Sequence, residues 1–453
     1  MARKYLSFNP FTQTLMKEYK FSTSGEISDA ISRAHTGFKN FSKYSFQKRA
    51  DRLINLSNVL NLNKQELATM MASEMGKPIN FCLGEIAKSV ECCNYYAMNA
   101  ENLLKSHNYP VGSDCYVRYD PMGVIFLIMP FNFPVWMPLK TSIPHLMAGN
   151  TILLKHCEST PQTAEILERC TKEAGFVDEF INIRPDIPDI EKIITDPKIC
   201  GVSITGSVRA GKAVGVIAAG SMKKVVLELG GNDPFIVLQD ADLTKAAKML
   251  VAGRLHNSGQ VCISPKRTIV VADVYENFVS LVQAEAANYV IGNPLDEKTL
   301  LGPMARADLC EQAYKQVKDS VELGAKVVLG GKPTDSFNFP ATVLVNITEN
   351  MPVFKEEVFG PVISIIKAKN EQDAIRIANN TEYGLGASIF SKNVNRVKNE
   401  IVPNIQSGMV FVNENPKSIV QVPFGGHKSS GIGRELGENG IREFCNAKTV
   451  YIA

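Results

Sequence analysis

Gly123-Val124-Ile125-Phe126-Leu127-Ile128-Met129 is an unbroken apolar run, the pattern of a strand covered on both faces, as in a parallel sheet. Thr151-Ile152-Leu153-Leu154-Lys155, Ile199 to Ile204 and Val225 to Leu229 repeat it. Helical periodicity lies between them, from Gln162 to Glu173 and from Gly211 to Ala219. Strands alternating with helices make βαβ units and a doubly wound sheet. After Gly230-Gly231 the alternation restarts, with strands at 235–238, 266–271, 326–329 and 362–366 and helices at 241–255, 276–290 and 307–323. Two α/β domains are therefore expected, divided near Gly230. No Ser- or Pro-rich linker separates them, so they should share a packed interface with a cleft.

Before this core, residues 1–20 read as an edge strand and turns. Ser28 is expected to cap a helix through Phe38, and Ser45 another through Leu60. Gly76-Lys77-Pro78 stops the pattern, and Ile79 to Leu104 is a long helix, read as scaffold. Tyr109 to Tyr119 alternates like an edge hairpin, and Thr449-Val450-Tyr451-Ile452 is a strand able to join another sheet edge.

The chain has 453 residues, 45% hydrophobic and 21% charged, with a net charge of +3. That length exceeds one compact core, and the composition is that of a globular protein. No basic block supplies a nucleic-acid or membrane-surface footprint, and no apolar stretch reaches the roughly 20 residues of a spanning helix. Met1 to Pro10 lacks the apolar segment of a secretory leader, so a cytoplasmic location is expected. The ten cysteines lack CxxC pairs and the six histidines are scattered. Reduced thiols are expected, and no metal site.

In open α/β sheets ligands sit beyond the carboxyl ends of the strands. Asn132, Lys155, Glu158, Gly206, Ser207 and Glu228 all fall at such ends. Asn257-Ser258-Gly259-Gln260-Val261-Cys262 lies between a helix and a strand. Cys262 with Glu228 suggests a thiol nucleophile and a general base, although most cysteines are small core residues. Asn132, within Pro130-Phe131-Asn132-Phe133-Pro134, could donate to an oxyanion; a turn-closing asparagine is the competing reading. Gly206-Ser207 opens a helix and offers N–H groups to a phosphate, without the full G-x-G-x-x-G spacing. Lys155 and Glu158 could meet ribose hydroxyls or pair with each other.

These motifs, together with Glu357-Val358-Phe359-Gly360-Pro361 and Pro423-Phe424-Gly425-Gly426, resemble the NAD(P)-dependent aldehyde dehydrogenase superfamily over essentially the whole chain. Glu74 to Ile79, Thr205 to Gly211 and Asn232 to Leu238 look like its bacterial succinate-semialdehyde dehydrogenase branch. The resemblance implies a Rossmann-like cofactor domain (1–102 and 122–229), a catalytic domain (230–444), and an oligomerisation hairpin with the C-terminal strand (103–121 and 445–453). It also implies a homodimer or homotetramer.

By the same resemblance Cys262 is the nucleophile, Glu228 the base for thioester hydrolysis, and Asn132 with the Cys262 N–H the oxyanion donors. Lys155 and Glu158 take the adenosine ribose, Gly206 and Ser207 the pyrophosphate, Glu357 the nicotinamide ribose, and Phe359 packs by the nicotinamide. A carboxylate at 158 would repel a 2′-phosphate, which favours NAD, with NADP possible beside Lys155 and Arg209. Lys140 and His256 stand where the family often has arginine, and Lys140, with Phe424 nearby, is expected to meet a substrate carboxylate. Local donors should lower the Cys262 pKa. With Ile263 and Ser264 following, no second cysteine adjoins Cys262. A cofactor-free thiol hydrolase, a CoA-acylating relative and a silent member of the same fold are the competing functions. The first would leave the cofactor residues without a task, the second is opposed by Glu228, and the third by the retained site residues.

Overall fold

The computed structural model describes residues 5–453. Two mixed α/β layers carry the molecule. The first is a six-stranded sheet ordered Gly431–Ile432, Lys224–Glu228, Ile199–Thr205, Val124–Ile128, Thr151–Lys155, Phe180–Ile183. Its five longer strands are parallel, and Gly431–Ile432 adds an antiparallel edge beside Glu228. The second has seven strands, ordered Lys326–Leu329, Thr342–Val345, Val362–Ala368, Pro265–Val271, Asp233–Val237, Gly386–Phe390, Met409–Val412. The chain passes from one sheet to the other between Glu228 and Asp233.

The central strands are buried end to end, Asp233–Val237 and Pro265–Val271 at every residue. Helices cover both faces, so nothing forces polar residues into alternation. Lys326–Leu329, read as one more βα strand, is instead an antiparallel edge. Among the elements that carry no mark in the sequence reading, two show why. Phe180–Ile183 is an edge strand of four residues, and Trp136–Ala148 is a helix in which every residue is buried, so no polar face reveals its period.

The first helix is Ser24–Phe41, capped by Thr23 rather than Ser28. The Glu26 N–H donates to Thr23 Oγ1 and the Thr23 N–H to Glu26, a reciprocal capping box that starts the helix a turn earlier. Ser45 caps Phe46–Leu62. A third, antiparallel sheet sets Cys445–Ile452 along Asp114–Pro121, with His107–Asn108 outermost. All ten cysteines are free thiols. Among the described residues no helix is long and apolar enough to cross a membrane.

Candidate active site

Cys262 lines a cavity of about 460 Å³. The long helix Ile79–Leu103 supplies Phe81, Glu85 and Lys88, Trp136–Ala148 supplies Trp136, Met137 and Lys140, and His256, Asn415–Ser418 and Phe424 complete the wall. The loop leading to the cysteine is tightly coiled, with Asn257, Ser258 and Gly259 all at positive φ (51°, 54° and 73°). Such a run is costly for ordinary residues, and buried bonds hold it. Ser258 Oγ donates to the Gly302 carbonyl at 2.8 Å, and Asn257 Nδ2 to the Asn132 carbonyl at 2.9 Å. Arg254, fully buried, donates to the carbonyls of Gly259, Val358 and Val362 and to Ser264 Oγ. A Cβ on Gly231 would stand 2.5 Å from the Cys262 carbonyl oxygen, so the two strand connections can approach only without a side chain there.

Asn132 is brought to the cysteine loop. Its Nδ2 donates to the Gln260 carbonyl at 2.9 Å, which uses one amide hydrogen and leaves the other. Lys77 and Glu85 fix this segment from beneath as a buried ion pair at 2.5 Å. Glu85 Oε1 accepts from the N–H groups of Val135 and Trp136, 2.8 Å each, and Lys77 Nζ lies 3.7 Å from the Phe133 ring centre.

Glu228 is buried, and its charge reaches Cys262. Burial first, and then neighbouring Glu435, hold its carboxyl well above the usual carboxylate range, against the pull of Lys140 and Arg434. The Cys262 thiol departs from expectation. Burial pushes it up to about 12, and Lys266 and Lys140 pull it back only in part. Lys266 also donates to the carbonyls of Val261 and Cys262, at 2.9 and 2.5 Å.

Lys140 is buried in the cavity wall, 4.4 Å from the Phe424 ring centre and ion-paired with Glu435. His256 packs between Phe81 and Phe133, its centroid 4.4 and 6.1 Å from theirs. Burial, aided by Lys77 and Lys88, lowers its imidazole to about 3, so it is neutral.

A second cavity, of about 1040 Å³, has Lys155, Glu158, Arg209 and Arg306 on its rim and Ile128, Ile204, Val214 and Ile217 in its wall. An apolar slot with a cation and a carboxylate at its edge, beside the start of the helix Val208–Gly220, fits an adenine dinucleotide. Lys155 and Glu158 stand 3.8 Å apart, near enough to pair and still reach a ribose. One expected donor is already committed, and the other residue accepts as a cap. The Gly206 N–H donates to the Glu228 carbonyl at 3.0 Å, and Ser207 Oγ accepts from the Ala210 N–H at 3.3 Å as the helix cap. Phosphate-facing N–H groups must then come from residues just after Gly206.

Glu357 is tied to the cysteine loop, and Phe359 packs toward the dinucleotide side. Glu357 Oε1 accepts from Lys266 at 3.1 Å and from the Gly231 N–H at 3.2 Å. Phe359 meets Phe131 edge-on at 6.2 Å and packs against an apolar cluster that includes Cys157, a residue lining the dinucleotide cavity. Lys77, Glu85, Lys88, Arg254 and Lys266 were not anticipated as site residues. Only the polar loop that Arg254 and Lys266 brace was visible in sequence.

A model of the aldehyde dehydrogenase family matches residues 2–450. The chain belongs to the aldehyde dehydrogenase family. Among its relatives is the succinate semialdehyde dehydrogenase [NAD(P)+] Sad of Escherichia coli (strain K12), 39% identical over 98% of this chain and 97% of that one. The succinate-semialdehyde dehydrogenase [NADP(+)] 1 of Mycobacterium tuberculosis (strain ATCC 25618 / H37Rv) is 40% identical over 99% of each chain. A crystal structure of succinic semialdehyde dehydrogenase from Streptococcus pyogenes in complex with NADP+ superposes with a TM-score of 0.96, at 34% identity over 99% of both chains. The fold and family expected from the motifs of this aldehyde dehydrogenase therefore hold.

Proposed function

We propose that this aldehyde dehydrogenase oxidises succinate semialdehyde to succinate with NAD(P)+ and water. The observation that carries the reading is Cys262 in the wall of a largely apolar cavity, on the loop that Asn132 bonds, with the buried Glu228 carboxyl near it.

Cys262 gives its proton to solvent, and its sulfur attacks the aldehyde carbon to give a thiohemiacetal. The free amide hydrogen of Asn132 and the Cys262 N–H hold the developing alkoxide; losing one such donor costs on the order of 10² to 10³ in rate. NAD(P)+, when held by the residues named below, would supply the hydride acceptor for that carbon, and Cys262 would carry the acyl group as a thioester. Glu228 then takes a proton from water, the C–S bond breaks, and the carboxylic acid leaves. Lys155, Glu158 and the helix start after Gly206-Ser207 bind the adenosine and pyrophosphate. Glu357 holds the nicotinamide ribose and Phe359 flanks the nicotinamide. Lys140, His256 and Phe424 shape the substrate cavity. Glu158 favours NAD over NADP, because a carboxylate accepts from ribose hydroxyls and repels a 2′-phosphate.

The reading assigns 1–102 and 122–229 to cofactor binding, 230–444 to catalysis, and 103–121 with 445–453 to oligomerisation, as a homodimer or homotetramer. The strand Cys445–Ile452 at the edge of its sheet supports the last point. The ten free thiols suit the cytoplasm.

Reduced-nicotinamide absorbance, followed with each cofactor against succinate semialdehyde and butanal before and after iodoacetamide, tests this. NAD-dependent oxidation that prefers the semialdehyde and is abolished by alkylation is expected. Ester cleavage without cofactor, or no preference for the semialdehyde, would overturn it.

A further inference from the structure

Three lysines line the Cys262 cavity. Lys140 is matched by Glu435, and Lys417 by Glu414 at 3.0 Å. Glu85, the cavity's own acid, is matched by Lys77, and His256 is neutral. That leaves Lys88. Among the described residues no carboxylate lies within ion-pair distance of its ammonium, whose hydrogen-bond partner is Ser418 Oγ at 2.7 Å. Its charge also lies 5.0 Å from the centre of the buried Trp136 ring. A half-buried cation held by a hydroxyl and an aromatic face, with the neighbouring charges cancelled in pairs, gives the cavity a positive end.

Resting on the substrate class proposed above, we propose that Lys88, braced by Ser418 and Trp136, binds the distal carboxylate of the semialdehyde and makes this cavity selective for ω-carboxylated aldehydes. The partner chemistry is an anion at the far end of a short aliphatic chain. The charge of Lys140 is already met by Glu435, whereas Lys88 has no carboxylate partner and can take one while keeping Ser418, because an ammonium has three hydrogens. The side chain touches the part of the substrate that does not react, so its effect falls on binding.

Succinate semialdehyde and butanal have the same carbon count and differ in carboxylate against methyl. In the full-length enzyme, Lys88→Met keeps an apolar stem and removes the charge. It should raise KM for succinate semialdehyde about ten- to hundredfold, the scale of a lost charge-assisted hydrogen bond, with kcat much less affected. KM for butanal should move far less. Lys88→Arg should recover most of the loss, and Ser418→Ala should reproduce a smaller part of it. Equal KM increases for both aldehydes would mark a merely structural lysine and overturn the proposal. So would an unchanged KM for the semialdehyde in an enzyme that still prefers it, an outcome that leaves the substrate reading standing. A wild-type enzyme indifferent to the carboxylate would remove both.

Discussion

Lys140 and Glu435 form an ion pair sealed from water, their side chains 1% and 3% exposed, in the wall between Cys262 and Glu228. Thr141 Oγ1 donates to the other Glu435 oxygen at 2.5 Å. Removing one member strands a buried charge, which typically costs about 3–5 kcal/mol, whereas replacing both with apolar groups can be close to neutral. Lys140→Met alone should therefore lower the unfolding free energy by that order, and Lys140→Met with Glu435→Leu should recover most of it. Denaturant titration of the two single variants and the double variant measures the coupling. Additive losses would mean that the pair is not coupled.

The acid–base state of the site sets a direction for pH. Burial lifts the Cys262 thiol to about 12 and holds the Glu228 carboxyl above its ordinary range. In the proposed mechanism both groups act deprotonated, so both active fractions should grow as pH rises. With butanal, kcat/KM should climb from about pH 6 to about pH 9 without a plateau near neutrality. Lys88 runs the other way: burial and Lys140, then Lys417, outweigh Glu91 and Cys92 and lower it to about 8. Above that pH its charge is lost, and KM for succinate semialdehyde should rise while KM for butanal does not. Parallel profiles for the two aldehydes would contradict this.

Much of the scaffold was legible because burial on both faces leaves an unmistakable mark, as in Val124–Ile128 and Val362–Ala368. The same condition hid Trp136–Ala148, where burial all round erases the helical period and Pro144 sits inside. Asn132 and Glu228 stood out as polar residues at the ends of apolar runs, and Cys262 as the end of a short polar stretch. Lys88 did not. It lies on a helix read as scaffold, and its partner Ser418 is 330 residues away, a contact no local pattern encodes. Arg254 was hidden in the same way, since its acceptors at Val358 and Val362 lie more than 100 residues on.

The division of labour between Asn132 and Glu228 predicts different failures. Asn132→Ala removes the proposed oxyanion donor and the contact to the Gln260 carbonyl, so single-turnover hydride transfer should slow by about 10² to 10³. Glu228→Gln leaves that step in place and impairs hydrolysis. One equivalent of reduced cofactor should form per site, followed by a stall, with acyl mass retained on Cys262. Intact-protein mass spectrometry after the burst distinguishes the two. A Glu228→Gln enzyme with no burst would assign Glu228 to the first step.

Asp233 sits beneath the Gly231 turn, 1% exposed, with neither carboxylate oxygen bonded to a side chain. Burial, opposed mainly by Lys266, raises its pKa to about 7, from an ordinary value near 3.8. A raised carboxyl favours the folded state in its protonated form. Its stabilising share is complete below about pH 4 and is lost as pH climbs toward 7, beyond which the fold carries a buried charge. Asp233→Asn keeps the shape and cannot ionise. It should match the wild type near pH 4 and exceed it by about 1–3 kcal/mol near pH 8, less than the full shift implies, because the fold can relax around the buried carboxylate. Urea midpoints at the two pH values supply the comparison. A stability gain that is the same at both would show that Asp233 does not titrate between them.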